Sequence, residues 1–104
     1  MRRTTKRPKR ETVPDYLRST YDLITGAFPA EIDPDLYLPL LNFLEPHLSH
    51  RNLADVIWLA TGRDYALAWS DVVDAMGTPV SDEVLTRMRQ RLEPHGLTAW
   101  LAES

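Results

Sequence analysis

The chain is 104 residues long, 43% apolar and 26% charged, and it contains no cysteine. That length suits one domain of ordinary size, and the lack of thiols excludes a disulfide framework, a cysteine nucleophile and cysteine-ligated zinc. The formal charge of −3 conceals two opposite parts. Arg2, Arg3, Lys6, Arg7, Lys9 and Arg10 put +6 into the first ten positions, where there is no acid; the six remaining arginines face all fifteen acids, which leaves the rest of the chain at −9. We therefore expect a basic disordered tail over 1–12, too poor in apolar surface to offset its ordering entropy, and a single helical domain over 13–104.

The basic residues are followed by Glu11, Asp15, Arg18 and Asp22, which does not read as the apolar core of a secretory signal. The richest apolar stretch, 36–44, is interrupted by Pro39 and has about half the length a membrane-spanning helix needs. A cytoplasmic protein with no membrane partner is the expectation.

Helix signals follow in order. Leu17, Tyr21, Ile24 and Phe28 recur at helical spacing from Pro14 to Phe28, with Thr12 as a cap and Pro29 as a stop. Asp33 and Pro34 then signal a start, but Pro39 lacks a backbone donor, so the second segment reads as a short turn feeding a helix that begins near Pro39 and runs through Leu40, Leu41, Phe43 and Leu44. Ser49 caps a third helix with Leu53, Val56, Ile57 and Ala60 on one face and Gly62 at its end. The connection Arg63 to Ala68 reads as the longest loop after this helix, ending on Trp69. Ser70 and Asp71 start a fourth, short helix through Val72, Val73 and Met76, closed by Gly77. Ser81, Asp82 and Glu83 start a fifth, with Val84, Leu85, Met88 and Leu92 inward and Gly96 after its last turn. No alternating pattern or hairpin turn appears. The fold class is all-α, a compact bundle of about five short helices.

Leu-Glu-Pro-His occurs twice, at 44–47 and 92–95. Its flanks differ, with Leu40, Leu41 and Phe43 opposite Met88, Arg89 and Arg91, so it reads as a helix-stopping phrase rather than a duplicated unit. His47 and His50 are three apart but straddle a helix junction and lack a third ligand, which argues against a metal site. No phosphate loop or nucleophile elbow is present, and the acids Asp15, Asp35, Asp71, Asp82 and Glu83 sit at helix starts. Neither a catalytic set nor a cofactor site is expected, and the chain reads as non-enzymatic.

Two non-enzymatic functions fit the residues. The fourth helix, the turn Gly77-Thr78-Pro79-Val80 and the fifth helix make a helix-turn-helix-like pair, the second member of which carries Arg87, Arg89 and Arg91. It resembles the recognition helix of winged-helix regulators, although three residues separate Gly77 from Ser81 and the charge of −9 limits any nucleic-acid footprint to this helix and the tail. Candidate nucleic-acid contacts are thus Arg2, Arg3, Lys6, Arg7, Lys9, Arg10, Arg87 and Arg91. The alternative, placed first, is an interaction module presenting a helix face or groove to a protein partner or to itself. Three Trp and four Tyr are more aromatic surface than a core of this size absorbs, and Tyr37, Trp58, Tyr65, Trp69 and Trp100 are the candidate protein contacts.

From Leu17 through Trp100 the chain resembles a small actinobacterial, mycobacterial-type family known only as a domain of unknown function. The resemblance rests on Phe28-Pro29, Tyr37 with Pro39-Leu40-Leu41, Leu48-Ser49, Ser70-Asp71-Val72 with Ala75, Pro79 before Ser81, and Arg87 with Arg91-Leu92 ahead of Gly96. Gly96-Leu97-Thr98-Ala99-Trp100 replaces the family's Gly-Trp-Pro, and the basic tail is not a family feature. The resemblance implies a bundle of about five helices and carries over no functional residue.

Overall fold

A computed structural model describes residues 10–103. Its α-helices are α1 (Asp15–Ala27), α2 (Pro34–Leu44), α3 (His50–Thr61), α4 (Tyr65–Met76), α5 (Asp82–Leu92) and α6 (Leu97–Glu103), joined by single 3-10 turns at Arg10–Thr12, Glu45–His47 and Glu93–His95. There is no strand among the described residues. The all-α class is therefore met, with six helices where about five were expected. Of the tail assigned to 1–12, only Arg10–Thr12 is described, and it forms a turn ahead of α1; the tail positions before it lie outside the described residues.

The helices follow the apolar periodicity closely where it is strong. In α1, Leu17, Tyr21 and Ile24 are buried together with Phe28 just beyond its end. In α3 the whole expected face, Leu53, Val56, Ile57 and Ala60, is buried, the Ser49 side chain accepts from the Asn52 amide at 3.0 Å, and Gly62 takes the left-handed conformation (φ 78°) that favours glycine. In α5 the Ser81 side chain accepts from the Val84 amide at 3.2 Å, and Met88 and Leu92 are fully buried, while Val84 and Leu85 are only half-buried. Both copies of Leu-Glu-Pro-His do the same thing: the leucine ends an α-helix in the core and Glu-Pro-His tightens into a 3-10 turn.

Three readings of the sequence need correction. First, α2 starts at Pro34 and continues through Pro39 instead of restarting there. Pro39 removes one amide, but Leu36, Leu40, Leu41 and Leu44 on a single buried face hold the helix across it. Second, the loop expected at 63–68 is mostly helix. The Asp64 side chain accepts from the Ala66 amide at 3.0 Å, so α4 begins at Tyr65, and Ser70 and Asp71 lie inside it. Third, Gly96, left-handed at φ 98°, is a hinge into α6 rather than the end of structure, and Leu97 and Trp100, three apart on α6, both enter the core.

Packing places α2 and α3 centrally. The helix α4 lies on α3 and α2, α5 lies on α2 and α1, and α6 closes against α1. Thus α2 is the common support of α4 and α5. Across the α1–α6 seam, the Trp100 indole N–H donates to the Thr20 hydroxyl at 2.8 Å, inside the core, and the His47 ring meets the Trp100 ring edge-on at 5.0 Å.

Candidate functional site

The exposed surface of α4 is unusual for its composition. Tyr65, Trp69, Val73 and Met76 follow one another at spacings of four, four and three, which on a helix confines them to a sector of roughly 80°. That sector borders the buried Ala68, Val72 and Ala75 but is not itself covered. From α3 the His50 ring reaches this sector and stands 6.5 Å from that of Trp69, and Trp69 in turn lies 6.3 Å from Tyr65. Tyr65, Trp69, Val73 and Met76 are each 37 to 52% exposed, and Trp58 on α3 is 39% exposed. The aromatic rings run from α3 over to α4, and Val73 and Met76 extend the strip along α4.

The five candidate protein contacts thus divide. Tyr65 and Trp69 share this face and Trp58 is exposed on α3, whereas Trp100 is only 5% exposed and belongs to the core seam. Tyr37 is half-buried on the other side of α4, where its hydroxyl donates to Asp71 Oδ2 at 2.6 Å and Arg63 Nε donates to the same oxygen at 2.5 Å. Burial, and then the hydrogen bond to Asp71, push the Tyr37 phenol well above its ordinary value. This trio edges an open cleft of roughly 550 Å³ that Ile32, Pro34 and Asp74 also line. Since Asp71 is engaged by both neighbours, the cleft reads as a tie between α2, the α3–α4 link and α4.

Val73 and Met76 were missed as surface residues. The signal was present in the sequence, because Ala68, Val72 and Ala75 form a narrow inner face that leaves the larger apolar residues outside it. Recognising it required the true start of α4.

The α5 arginines are largely occupied within the molecule. Arg91 Nε donates to the carbonyl of Ala27, the last residue of α1, at 2.9 Å; its guanidinium lies 4.4 Å from the Phe28 ring centroid and pairs with Asp33 at 3.4 Å. Arg87 pairs with Asp35 at 3.7 Å on the surface, and Arg89 lies over Phe43 at 5.7 Å. Arg87 and Arg91 sit on the side of α5 that faces α2 and the end of α1. Arg2, Arg3, Lys6, Arg7 and Lys9 fall outside the described residues, as does the side chain of Arg10.

The histidines serve packing. His47 abuts Trp100, His50 lies 3.3 Å from Glu45 Oε2, and His95 sits so near Gly26 that a Cβ there would come within 2.9 Å of its ring. Among the described residues no group of three or more metal-ligating side chains is placed to hold an ion. No described helix is long and apolar enough to cross a membrane.

No family model, curated protein or solved structure matches the chain.

Proposed function

We propose that the chain is a small helical interaction module, acting in the cytoplasm, that docks a protein partner on the exposed apolar face of α4. One observation carries the reading. Four of the seven large apolar residues that stand exposed among the described residues, Tyr65, Trp69, Val73 and Met76, lie in one sector of α4. From the exposure of each and the ~150–250 Å² that an aromatic side chain buries, the apolar strip amounts to roughly 300 Å². That is enough for the centre of a standard interface of about 800 Å² per partner, and Trp and Tyr are the residues that most often dominate such centres. Membership of the actinobacterial family belongs to the same proposal and adds a bundle, not an activity.

The test is a photo-reactive side chain installed at Val73 in the full chain, expressed in its own host. Cross-linked product that Trp69→Ala removes and that deletion of residues 1–12 leaves intact supports the reading. The same products from a reporter at Tyr16, on α1, would overturn it.

A second reading is favoured by the +6 of the first ten residues: nucleic-acid binding by the tail, with α4 and α5 acting as a helix-turn-helix-like pair. Arg91 is committed to Ala27 and Asp33, so the tail supports this reading more than α5 does. Binding to a duplex should then fall with salt at a log–log slope of up to roughly −5 and vanish with the tail. Unchanged sequence preference after Arg87→Glu would remove α5 from the contact.

A further inference from the structure

We propose that α6 is an exchangeable latch: Gly96 passes from its left-handed turn into a helical conformation, α5 and α6 then form one rod, and α6 seats on α1 of a second copy that returns its own.

One residue separates the two arrangements. Every residue from Asp82 to Glu103 lies in an α-helix or a 3-10 turn except Gly96, at φ 98° and ψ 22°. With Gly96 helical, 82–103 becomes a single helix that contains Pro94 as α2 contains Pro39. The α6 helix has seven residues, too few to stand alone in water, so it forms either against its seat or as an extension of α5. In the rod, at 3.6 residues per turn, Leu97 and Trp100 fall roughly 100–160° round the axis from the middle of Met88 and Leu92. Met88 and Leu92 belong to the core, so the apolar side of α6 then turns away from its own body and is covered only by another molecule.

The seat selects α6 as its occupant. Thr20, the one polar residue buried among the described residues, accepts the Trp100 indole N–H at 2.8 Å, and His47 meets that ring edge-on at 5.0 Å. At the rim Ser19 Oγ donates to Glu103 Oε1 at 2.7 Å. An apolar segment without an indole leaves the Thr20 hydroxyl short of this partner in the core, which is costly; α6 of a second copy restores every one of these contacts. Because the seat is the same in both forms, hinge conformation and protein concentration set the balance between them.

Alanine at the hinge is the test. A Cβ on Gly96 meets nothing within 4 Å, so Gly96→Ala leaves the packing alone; it opposes the left-handed turn and favours the helix. Sedimentation of the full chain at concentrations on the order of 10 µM to 1 mM should give a dimer dissociation constant at least about tenfold lower for Gly96→Ala than for the unaltered chain. Gly96→Asn, which tolerates the left-handed turn and is a poor helix former, should stay close to the unaltered chain. Exchange itself is read with Ser19→Cys and Glu103→Cys, in a chain that has no other cysteine, joined by a short bis-maleimide. A monomer links to itself, whereas the Gly96→Ala dimer should run as two linked chains on a denaturing gel. Adding Trp100→Ala should abolish the dimer, Trp69→Ala on the α4 face should leave it intact, and circular dichroism checks that each variant is folded. A folded Gly96→Ala chain that stays monomeric overturns the proposal, as does a dimer whose cross-links all fall within one chain, one that survives Trp100→Ala, or one that Trp69→Ala disperses. Where Gly96→Ala fails to fold, the cysteine pair with the hinge unaltered reads the exchange at about 1 mM: linked pairs above the level seen with Trp100→Ala support it, and none above that level overturns it.

Discussion

Arg91 joins three elements through one guanidinium: it donates to Ala27 at the end of α1, pairs with Asp33 ahead of α2, and lies over the Phe28 ring, all from the last turn of α5. The α1 helix has no basic residue in its own last turn, so Arg91 brings the positive charge that a helix C-terminus favours from another part of the chain. Arg91→Ala should destabilise the fold by about 1–3 kcal/mol, through loss of a charged hydrogen bond and the ring contact, read as a lower urea midpoint at unchanged m-value. Arg91→Lys should fall between, since it keeps the charge without the planar fork. At Tyr37 the prediction concerns pH. The folded phenol titrates above its ordinary value of 10.0, because burial and then Asp71 disfavour the phenolate. In the unfolded chain it loses its proton near the ordinary value, so above about pH 10 the unfolded state binds fewer protons than the folded one and stability falls as pH rises. Tyr37→Phe should be less stable at neutral pH, through loss of the hydrogen bond to Asp71, and should show a shallower alkaline decline. Thermal melts across pH 8 to 11 compare the two slopes; equal slopes would remove Tyr37 as the cause.

Pro39 is the element-scale counterpart, a residue that opposes the helix containing it. It supplies no amide for the carbonyl of Asp35, and its ring crowds that carbonyl, effects worth about 3 kcal/mol in a helix interior. The buried leucines of α2 outweigh them. Pro39→Ala should therefore stabilise the protein by about 1–2 kcal/mol, less than the full helical gain because proline also restricts the unfolded chain. Calorimetry should show Tm higher by several degrees; a decrease would mean that the ring packs where alanine cannot. The same competition explains what the sequence disclosed. Helices α1, α3 and α5 were legible because their periodic apolar faces and their flanking signals, Pro14, Ser49, Gly62 and Ser81, point to the same ends. In α2 and α4 local and tertiary preferences disagree: Pro39 mimics a start, and Ser70-Asp71 mimics a cap although Asp64 performs that role six residues earlier. The α6 helix was hidden because Gly96 reads as a terminus, whereas its left-handed turn redirects the chain so that Leu97 and Trp100 reach the core. The aromatic face was half legible. Tyr65 and Trp69 stood out by type, but Val73 and Met76 could be assigned to the surface only once α4 was known to pack through Ala68, Val72 and Ala75.

At the scale of the whole molecule, the separation of charge noted in the sequence becomes a statement about the folded body. Four of the six arginines beyond the tail, Arg18, Arg63, Arg87 and Arg91, are already matched to Asp15, Asp71, Asp35 and Asp33. The unmatched charge that remains is mostly negative, and the stretch from Asp64 to Thr86 holds a large share of it. Such an excess destabilises a compact state by self-repulsion and attracts cationic partners. Removing residues 1–9 takes away Arg2, Arg3, Lys6, Arg7 and Lys9, which shifts the formal charge from −3 to about −8. The shortened chain should therefore melt at a lower temperature than the full chain in dilute buffer. As salt rises from about 0.01 to 0.3 M, the Debye length contracts from about 30 Å to a few ångströms and the body's self-repulsion is screened. The two melting temperatures should converge, with the shortened chain gaining about 2–5 °C more than the full one. A constant gap would assign the tail's effect to contacts that salt does not screen, and no gap at any salt would show that the tail's charge is not felt by the body.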